Sequence, residues 1–155
     1  MPWKRIESAF HRCSHKLFVT ALAVTGNRPL AEDAVHEALV AIVTSQAVPD
    51  NPEAYLCRCV RNQALRYVKD RRRYVTDVSE FLVTDSDPEN VALMHQVCRG
   101  LDRLGVEQRE TIVLHTFGGM SFREIAELQG ISINTVASWY RRGIAALKDG
   151  VADYE

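Results

Sequence analysis

Asn134, Thr135, Ser138, Arg141 and Arg142 are hydrogen-bonding side chains on one side of a short C-terminal segment. Val136, Tyr140, Ile144 and Leu147 recur between them at helical spacing and face the other way, toward a core. A helix divided like this can present donors and acceptors to base edges. The residues upstream fit that use. Ser121 and Glu124 have the S-x-x-E spacing of a capping box, which starts a helix. Ile125, Ala126 and Leu128 are its apolar positions, Gly130 supplies the turn, and Ser132 can cap the next helix. Cap, short helix, turn glycine and basic second helix in this order predict a helix-turn-helix, the unit that lays one helix in the major groove. The competing reading is an ordinary helical hairpin with a solvated polar face.

A second cationic set lies mid-chain. Arg58, Arg61, Arg66, Lys69, Arg71, Arg72 and Arg73 are opposed in their stretch only by Asp70. Arg58, Arg61, Lys69 and Arg72 fall near one helical stripe and can neutralise phosphates. Tyr55, Tyr67 and Tyr74 are interleaved and could stack on unpaired bases; for Tyr55 and Tyr67 alone, a place in the core is the simpler expectation. Glu32, Asp33 and Glu37 form an acidic side on the preceding helix. Acidic residues in a first turn complement the helix dipole, which alone could explain Glu32 and Asp33 but does not reach Glu37. An acidic patch on a basic module does not suit DNA. It suits a basic protein partner.

Bulk properties frame these sets. The chain has 155 residues, 46% of them hydrophobic, and a net charge of −1. That total hides segregation: residues 1–75 hold 12 Lys+Arg against 7 Asp+Glu, residues 76–106 hold 2 against 6, and residues 107–155 hold 5 against 7. A basic module, an acidic connector and a second module follow. No run reaches the roughly 18 apolar residues of a membrane helix, and no apolar signal segment follows the N-terminal charges, so a cytoplasmic protein is expected. Cys13, Cys57, Cys59 and Cys98 show no paired framework and read as free thiols. His11 and His15 share a helix face, but Cys13 points away from it, so no metal site is expected. His36, His95 and His115 show no evident partner. No nucleotide-binding glycine motif or zinc-protease motif is present, and neither an enzyme nor a cofactor is expected.

The hydrophobic pattern predicts an all-α chain of two small helical domains joined by a linker. Trp3, Ile6, Phe10, Leu17, Ala21 and Val24 mark the apolar side of a long first helix, ended at Thr25-Gly26-Asn27. Ala31, Ala34, Val35, Ala38, Leu39 and Ile42 form the stripe of a second, with Pro29 in its first turn. Asn51 is a candidate cap and Pro52 the first position of a third helix running from about Glu53 to Arg73. Residues 74–87 lack helical period and read as a linker, with Phe81, Leu82 and Val83 as either a short strand or a docking segment. Helices follow from Pro88 to about Leu104 and from about Glu107 to Phe117, with Gly118-Gly119 before the helix-turn-helix. The expected division is 1–74, a linker at 75–87, and 88–155.

Together these segments resemble an extracytoplasmic-function (ECF) sigma factor, of the sigma-70 family of bacterial RNA polymerase. Thr25-Gly-Asn-x-x-x-Ala-Glu-Asp-Ala-Val-His-Glu37 is similar to the junction of regions 2.1 and 2.2. Ala54-Tyr-Leu-x-x-x-Val-Arg-Asn62 with the Arg-rich helix is similar to regions 2.3 and 2.4, and Gln108-Arg-Glu-Thr-Ile-Val-Leu with the helix-turn-helix to region 4. A helix-turn-helix alone is shared by many regulators; the three segments in this order and spacing are specific. The resemblance implies that Glu32, Asp33 and Glu37 bind the β′ clamp helices of core polymerase. It implies that Arg58, Arg61, Asn62, Arg66, Lys69 and Arg72 engage the −10 element, where a non-template base leaves the stack. It implies −35 recognition by Ser138 and Arg142 with Asn134 and Arg141, phosphate contacts from Thr135 and Arg123, and as partners promoter DNA, the β flap and an anti-sigma factor.

Two departures stand out. The Gln46–Asn51 loop is shorter than is usual in the family, which puts its base pocket in question. Ala137 and Trp139 stand where the family often has basic residues. Trp139 has a single donor and cannot make a bidentate guanine contact, so it either packs on a sugar or thymine methyl or turns inward. The alternatives are a free-standing LuxR-type helix-turn-helix regulator and a polymerase-binding interaction protein that reads no DNA. The acidic face speaks against the first and the basic helix against the second.

Overall fold

A computed structural model describes residues 2–46, 49–70, 96–97 and 99–152. The described residues are helical, without a strand. The chain divides into two compact units, Met1–Tyr74 and Val75–Glu155. The expected linker, Phe81–Val83, Arg71–Arg73, Tyr74, His95 and Cys98 lie outside the described residues.

The first unit packs three helices against one another: α1 (Pro2–Thr25), α2 (Arg28–Ser45) and α3 (Pro52–Asp70). Ile6, Ala9, Leu17, Ala21, Leu22 and Val24 of α1 meet a core completed by Leu30, Ala34, Ala38, Ile42, Leu56, Val60 and Ala64. Each fully buried leucine here stabilises the unit by about 1.5–3 kcal/mol relative to exposure. The second half of α1 is enclosed beyond a single stripe. Val19, Thr20, Ala23 and Thr25 are buried as well. The two threonines are tolerated because their hydroxyls donate to the Lys16 and Ala21 carbonyls at 2.7 and 3.0 Å.

Two expectations for α1 change. It is not one regular helix, because Cys13 departs from helical geometry at φ −118°, ψ 19° and kinks it. Trp3 is not in the core. It is 47% exposed, in the turn ahead of Ile6, where burial begins. Val35 and Leu39 of the α2 stripe are half-buried.

The ends of these helices follow from their sequence. The Asn27 side chain accepts from the Leu30 N–H at 3.0 Å and caps α2, with Pro29 in its first turn. The Asn51 side chain accepts from the Ala54 N–H at 3.3 Å and starts α3 at Pro52. Asn27 thus does more than end α1, since it also begins the next helix.

In the second unit, residues 99–103 are helical and are followed by α4 (Val106–Thr116), α5 (Phe122–Gln129) and α6 (Ile133–Ala152). Leu101, Ile112, Val113, Leu114, Met120, Ile125 and Val136 form the core. Ser121 and Glu124 make both bonds of the capping box, each at 3.1 Å. Gly130 ends α5 at φ +70°, a conformation that favours glycine. Ser132 Oγ accepts from the Thr135 N–H at 3.2 Å and starts α6. Gly143 is buried where a Cβ would stand 2.4 Å from Ile112 Cδ1, so α6 can approach α4 closely.

Candidate nucleic-acid interface

The acidic set lies on the open side of α2. Glu32, Asp33 and Glu37 are all exposed, while Ala31, Ala34 and Ala38 between them are buried. Because α2 begins at Arg28, its first turn holds no acidic residue. The helix dipole therefore does not account for Glu32 or Asp33. Glu32 pairs with Arg28 at 3.2 Å, an exposed i, i+4 contact of small energetic weight. Glu37 is tied to α3 instead. Its Oε2 accepts from Gln63 Nε2 at 2.6 Å. It also hydrogen-bonds Tyr67, whose phenol is pushed above its ordinary pKa by burial and then by this carboxylate.

On α3 the cations face outward. Arg58, Asn62, Arg66 and Lys69 are exposed and Arg61 is half-buried, while Arg72 lies outside the described residues. Between α2 and α3 runs a cleft of about 250 Å³, lined by Ser45, Tyr55, Cys59, Asn62, Gln63 and Arg66 among others. Tyr55 and Tyr67 are half-buried rather than core residues. The Tyr55 hydroxyl hydrogen-bonds both Cys59 and Ser45, and the charge of an ionised Cys59 is the main cause of its raised pKa. Burial raises the Cys59 thiol, with Tyr55 opposing. The cleft thus joins an aromatic ring, neutral hydroxyl and thiol groups, two amides and a cation.

In the second unit, Asn134, Arg123, Arg141 and Arg142 are exposed, and Thr135, Ser138 and Trp139 are half-buried. The Thr135 hydroxyl is engaged by Ser132 Oγ at 2.9 Å, so it belongs to the cap of α6 as well as to its outer side. Arg109 is half-buried, and this burial lowers its pKa against the opposing pull of Asp102 and Glu110. His115 has a partner after all: Nδ1 stands 2.8 Å from the Met120 carbonyl, and its ring packs on Phe122 and Tyr140. This aromatic cluster joins α4, α5 and α6, and since the carbonyl can only accept, Nδ1 carries the proton.

Two family models match the chain, Sigma-70 region 2 over residues 9–74 and Sigma-70, region 4 over residues 96–147, together most of its length. The chain belongs to the sigma-70 family. It is a sigma factor of the ECF group. It is 29% identical over 146 residues to the ECF RNA polymerase sigma factor EcfG of Rhodopseudomonas palustris, covering 86% of this chain and 81% of that one. It is 28% identical over 150 residues to the ECF RNA polymerase sigma factor SigE of Mycolicibacterium smegmatis, covering 90% of this chain and 58% of that one. The fold matches a solved structure of the sigma factor RpoE in complex with the anti-sigma factor NepR from Bartonella quintana. The TM-score is 0.72 at 23% identity, over 96% of this chain and 98% of that one.

The sigma-factor motifs account for where α2 and α3 carry charge. They do not anticipate what holds that charge in place. Gln63 and Tyr67, which fix Glu37, and Ser45 and Cys59, which complete the cleft, are uncharged and match no binding motif. The one available signal was spacing: Tyr55, Cys59, Asn62, Gln63 and Arg66 share a side of one helix at intervals of three and four.

Proposed function

We propose that this sigma factor divides promoter recognition between its two units while bound to core polymerase in the cytoplasm, without a cofactor and without catalysing a reaction itself. Glu32, Asp33 and Glu37 dock on the β′ clamp helices. Arg58, Arg61, Asn62, Arg66, Lys69 and Arg72 hold the −10 element, with their phosphate contacts supplying salt-dependent affinity. The α2–α3 cleft receives one unstacked non-template base. Its volume of about 250 Å³ is just under the ~300 Å³ of small-molecule sites, a scale suited to a single planar base. Tyr55 offers a stacking face, and Asn62, Gln63 and Arg66 offer hydrogen bonds to a base edge.

The carrying observation is the juxtaposition within one three-helix unit of an anchored acidic face, a cationic helix and a cleft of this composition. In the second unit, α6 reads the −35 element through Asn134, Ser138, Trp139, Arg141 and Arg142. Arg123 and Thr135 hold phosphates, and the β flap positions the unit. The anti-sigma factor seen on the structural relative makes a protein of that class a further partner.

Transcript sequencing after mixing the protein with bacterial core polymerase and a promoter library tests this reading. Initiation from a defined promoter set only when the protein is present is the expected result. Sequence-specific DNA binding without polymerase, and no new transcripts with it, would instead mark a free-standing regulator.

A further inference from the structure

A second cleft in the first unit is absent from the assignments above. It is an open surface depression of about 390 Å³ between Lys4, Arg5, Ser8 and Arg12 of α1 and Pro52 of α3. Lys4, Ser8 and Arg12 follow one another at i, i+4 and share a helix face. They and Arg5 are exposed, while Ile6, Ala9 and Cys13 turn into the core. The cations are not all loose. Arg12 Nε donates to Glu53 Oε1 at 3.0 Å, which fastens its guanidinium to the first turn of α3. Glu53 offsets one of the three positive charges, so an excess of two remains. Pro52 has no N–H to offer, so the cleft's lining residues on α1 supply the charged donors.

The position of this cleft gives it a use. Pro52 lines it, and Tyr55 lines the α2–α3 cleft. These residues are three apart on α3, a rise of roughly 4.5 Å along the helix axis. The two clefts therefore flank the same helical turn, one aromatic and amide-rich, the other cationic. A base seated in the first would leave its own strand within reach of the second. Guanidinium and ammonium groups around a hydroxyl match phosphate oxygens.

We propose that Lys4, Arg5 and Arg12 hold backbone phosphates of the single strand whose base occupies the Tyr55–Cys59 cleft. This rests on the −10 reading above and extends it to α1. The contact is blind to sequence. It adds affinity and salt dependence without changing which promoter is preferred.

The test uses holoenzyme reconstituted with core polymerase and a fluorescent single-stranded non-template oligonucleotide. The oligonucleotide carries the −10 sequence found by transcript mapping, with a scrambled strand as control. Anisotropy titrations across a salt series compare the parent with a Lys4→Gln/Arg5→Gln variant, which leaves the Arg12–Glu53 contact in place. The expected slope of log K against log salt is shallower by about 1.4, from two contacts at ~0.7 each. The ratio of −10 to scrambled affinity should be unchanged. An unaltered slope in a variant with the parent's thermal stability overturns the proposal. So does a defect confined to core-polymerase affinity, which would make the cleft a dock for an acidic protein surface. Failure of the parent holoenzyme to distinguish −10 from scrambled strands would remove the −10 reading itself, and this assignment with it.

Discussion

Gln63 on α3 donates its side-chain amide to the Glu37 carboxylate on α2 at 2.6 Å. With Tyr67 bonding the same carboxylate, Glu37 is held in one place on an exposed helix face. A pre-positioned anion loses less entropy on meeting a basic partner than one on a free side chain. Charge and position can be separated by mutation. Glu37→Gln keeps the length but removes the charge, and should weaken core-polymerase binding about tenfold at low salt, with a smaller loss at high salt. Gln63→Ala keeps the charge and releases its anchor, at a cost of about 0.5–1.5 kcal/mol for one hydrogen bond. Its effect on core binding should be only severalfold. Competition against a labelled sigma factor for core polymerase measures both. Parent-like competition by Glu37→Gln would remove Glu37 from the interface.

Alkaline pH should destabilise the first unit before the second. Burial raises Cys13 and Cys59 above the ordinary thiol value of 9.0. Tyr55 is raised above 10.0 chiefly by Cys59, and Tyr67 chiefly by burial. All four groups hold their protons more tightly when folded than when unfolded. The stability they contribute is therefore complete below about pH 9 and is lost as pH rises through their folded values. Thermal melting from pH 7 to 11, followed by the near-ultraviolet signal of the tyrosines, should show a falling midpoint only in the alkaline half. Cys59→Ser should weaken the dependence. A flat profile would mean that the Tyr55–Cys59 contact carries no linkage.

The sequence carried most of the architecture because local signals and burial agree in it. The Ser121–Glu124 box, Gly130 and Asn51-Pro52 each specify a helix end through bonds between neighbours in the chain, and such bonds do not depend on tertiary partners. Enclosure is less local. The second half of α1 is buried on more than one side, so its stripe of Leu17, Ala21 and Val24 understated the core, and Trp3 overstated it. The kink at Cys13 has no sequence sign, since neither proline nor glycine is there. The candidate site divides in the same way. Its charges are legible because charge runs survive in one dimension. Arg12–Glu53 and Glu37–Gln63 are tertiary relationships that join residues far apart in the chain.

The capping box sets the start of the shorter helix of the DNA-binding pair. Ser121→Ala removes the acceptor for the Glu124 N–H, while the Glu124 side chain can still reach the N–H of residue 121. A loss of about 1 kcal/mol is expected, as for other cap deletions. Ser121→Asp should retain the cap, because a carboxylate accepts the same N–H. Denaturant unfolding of the two variants reads the difference. Equal midpoints would show that α5 is held by packing of Ile125 and Ala126 alone.

Trp139 is the residue of α6 whose replacement should change promoter reading most. It is half-buried and flanked by Ser138 and by Arg141 and Arg142, the cations of the helix nearest to it. Partial burial leaves part of the indole exposed, and an indole surface is apolar with a single N–H donor. Such a surface can contact a thymine methyl but cannot make the paired contact by which arginine selects guanine. Trp139→Arg would add a cation and a planar donor fork at this position. One phosphate contact or one guanine contact should then strengthen −35 binding, the guanine contact by about 1–3 kcal/mol, roughly five- to 150-fold at the base pair reached. The two gains separate on a library randomised over the −35 element. A guanine contact enriches one base at one position, whereas a phosphate contact raises affinity for every sequence and steepens the salt dependence. Footprinting and library selection with holoenzyme carrying each form should show one of these gains. Unchanged affinity across the library would place the indole away from the groove and leave −35 reading to Asn134, Ser138, Arg141 and Arg142.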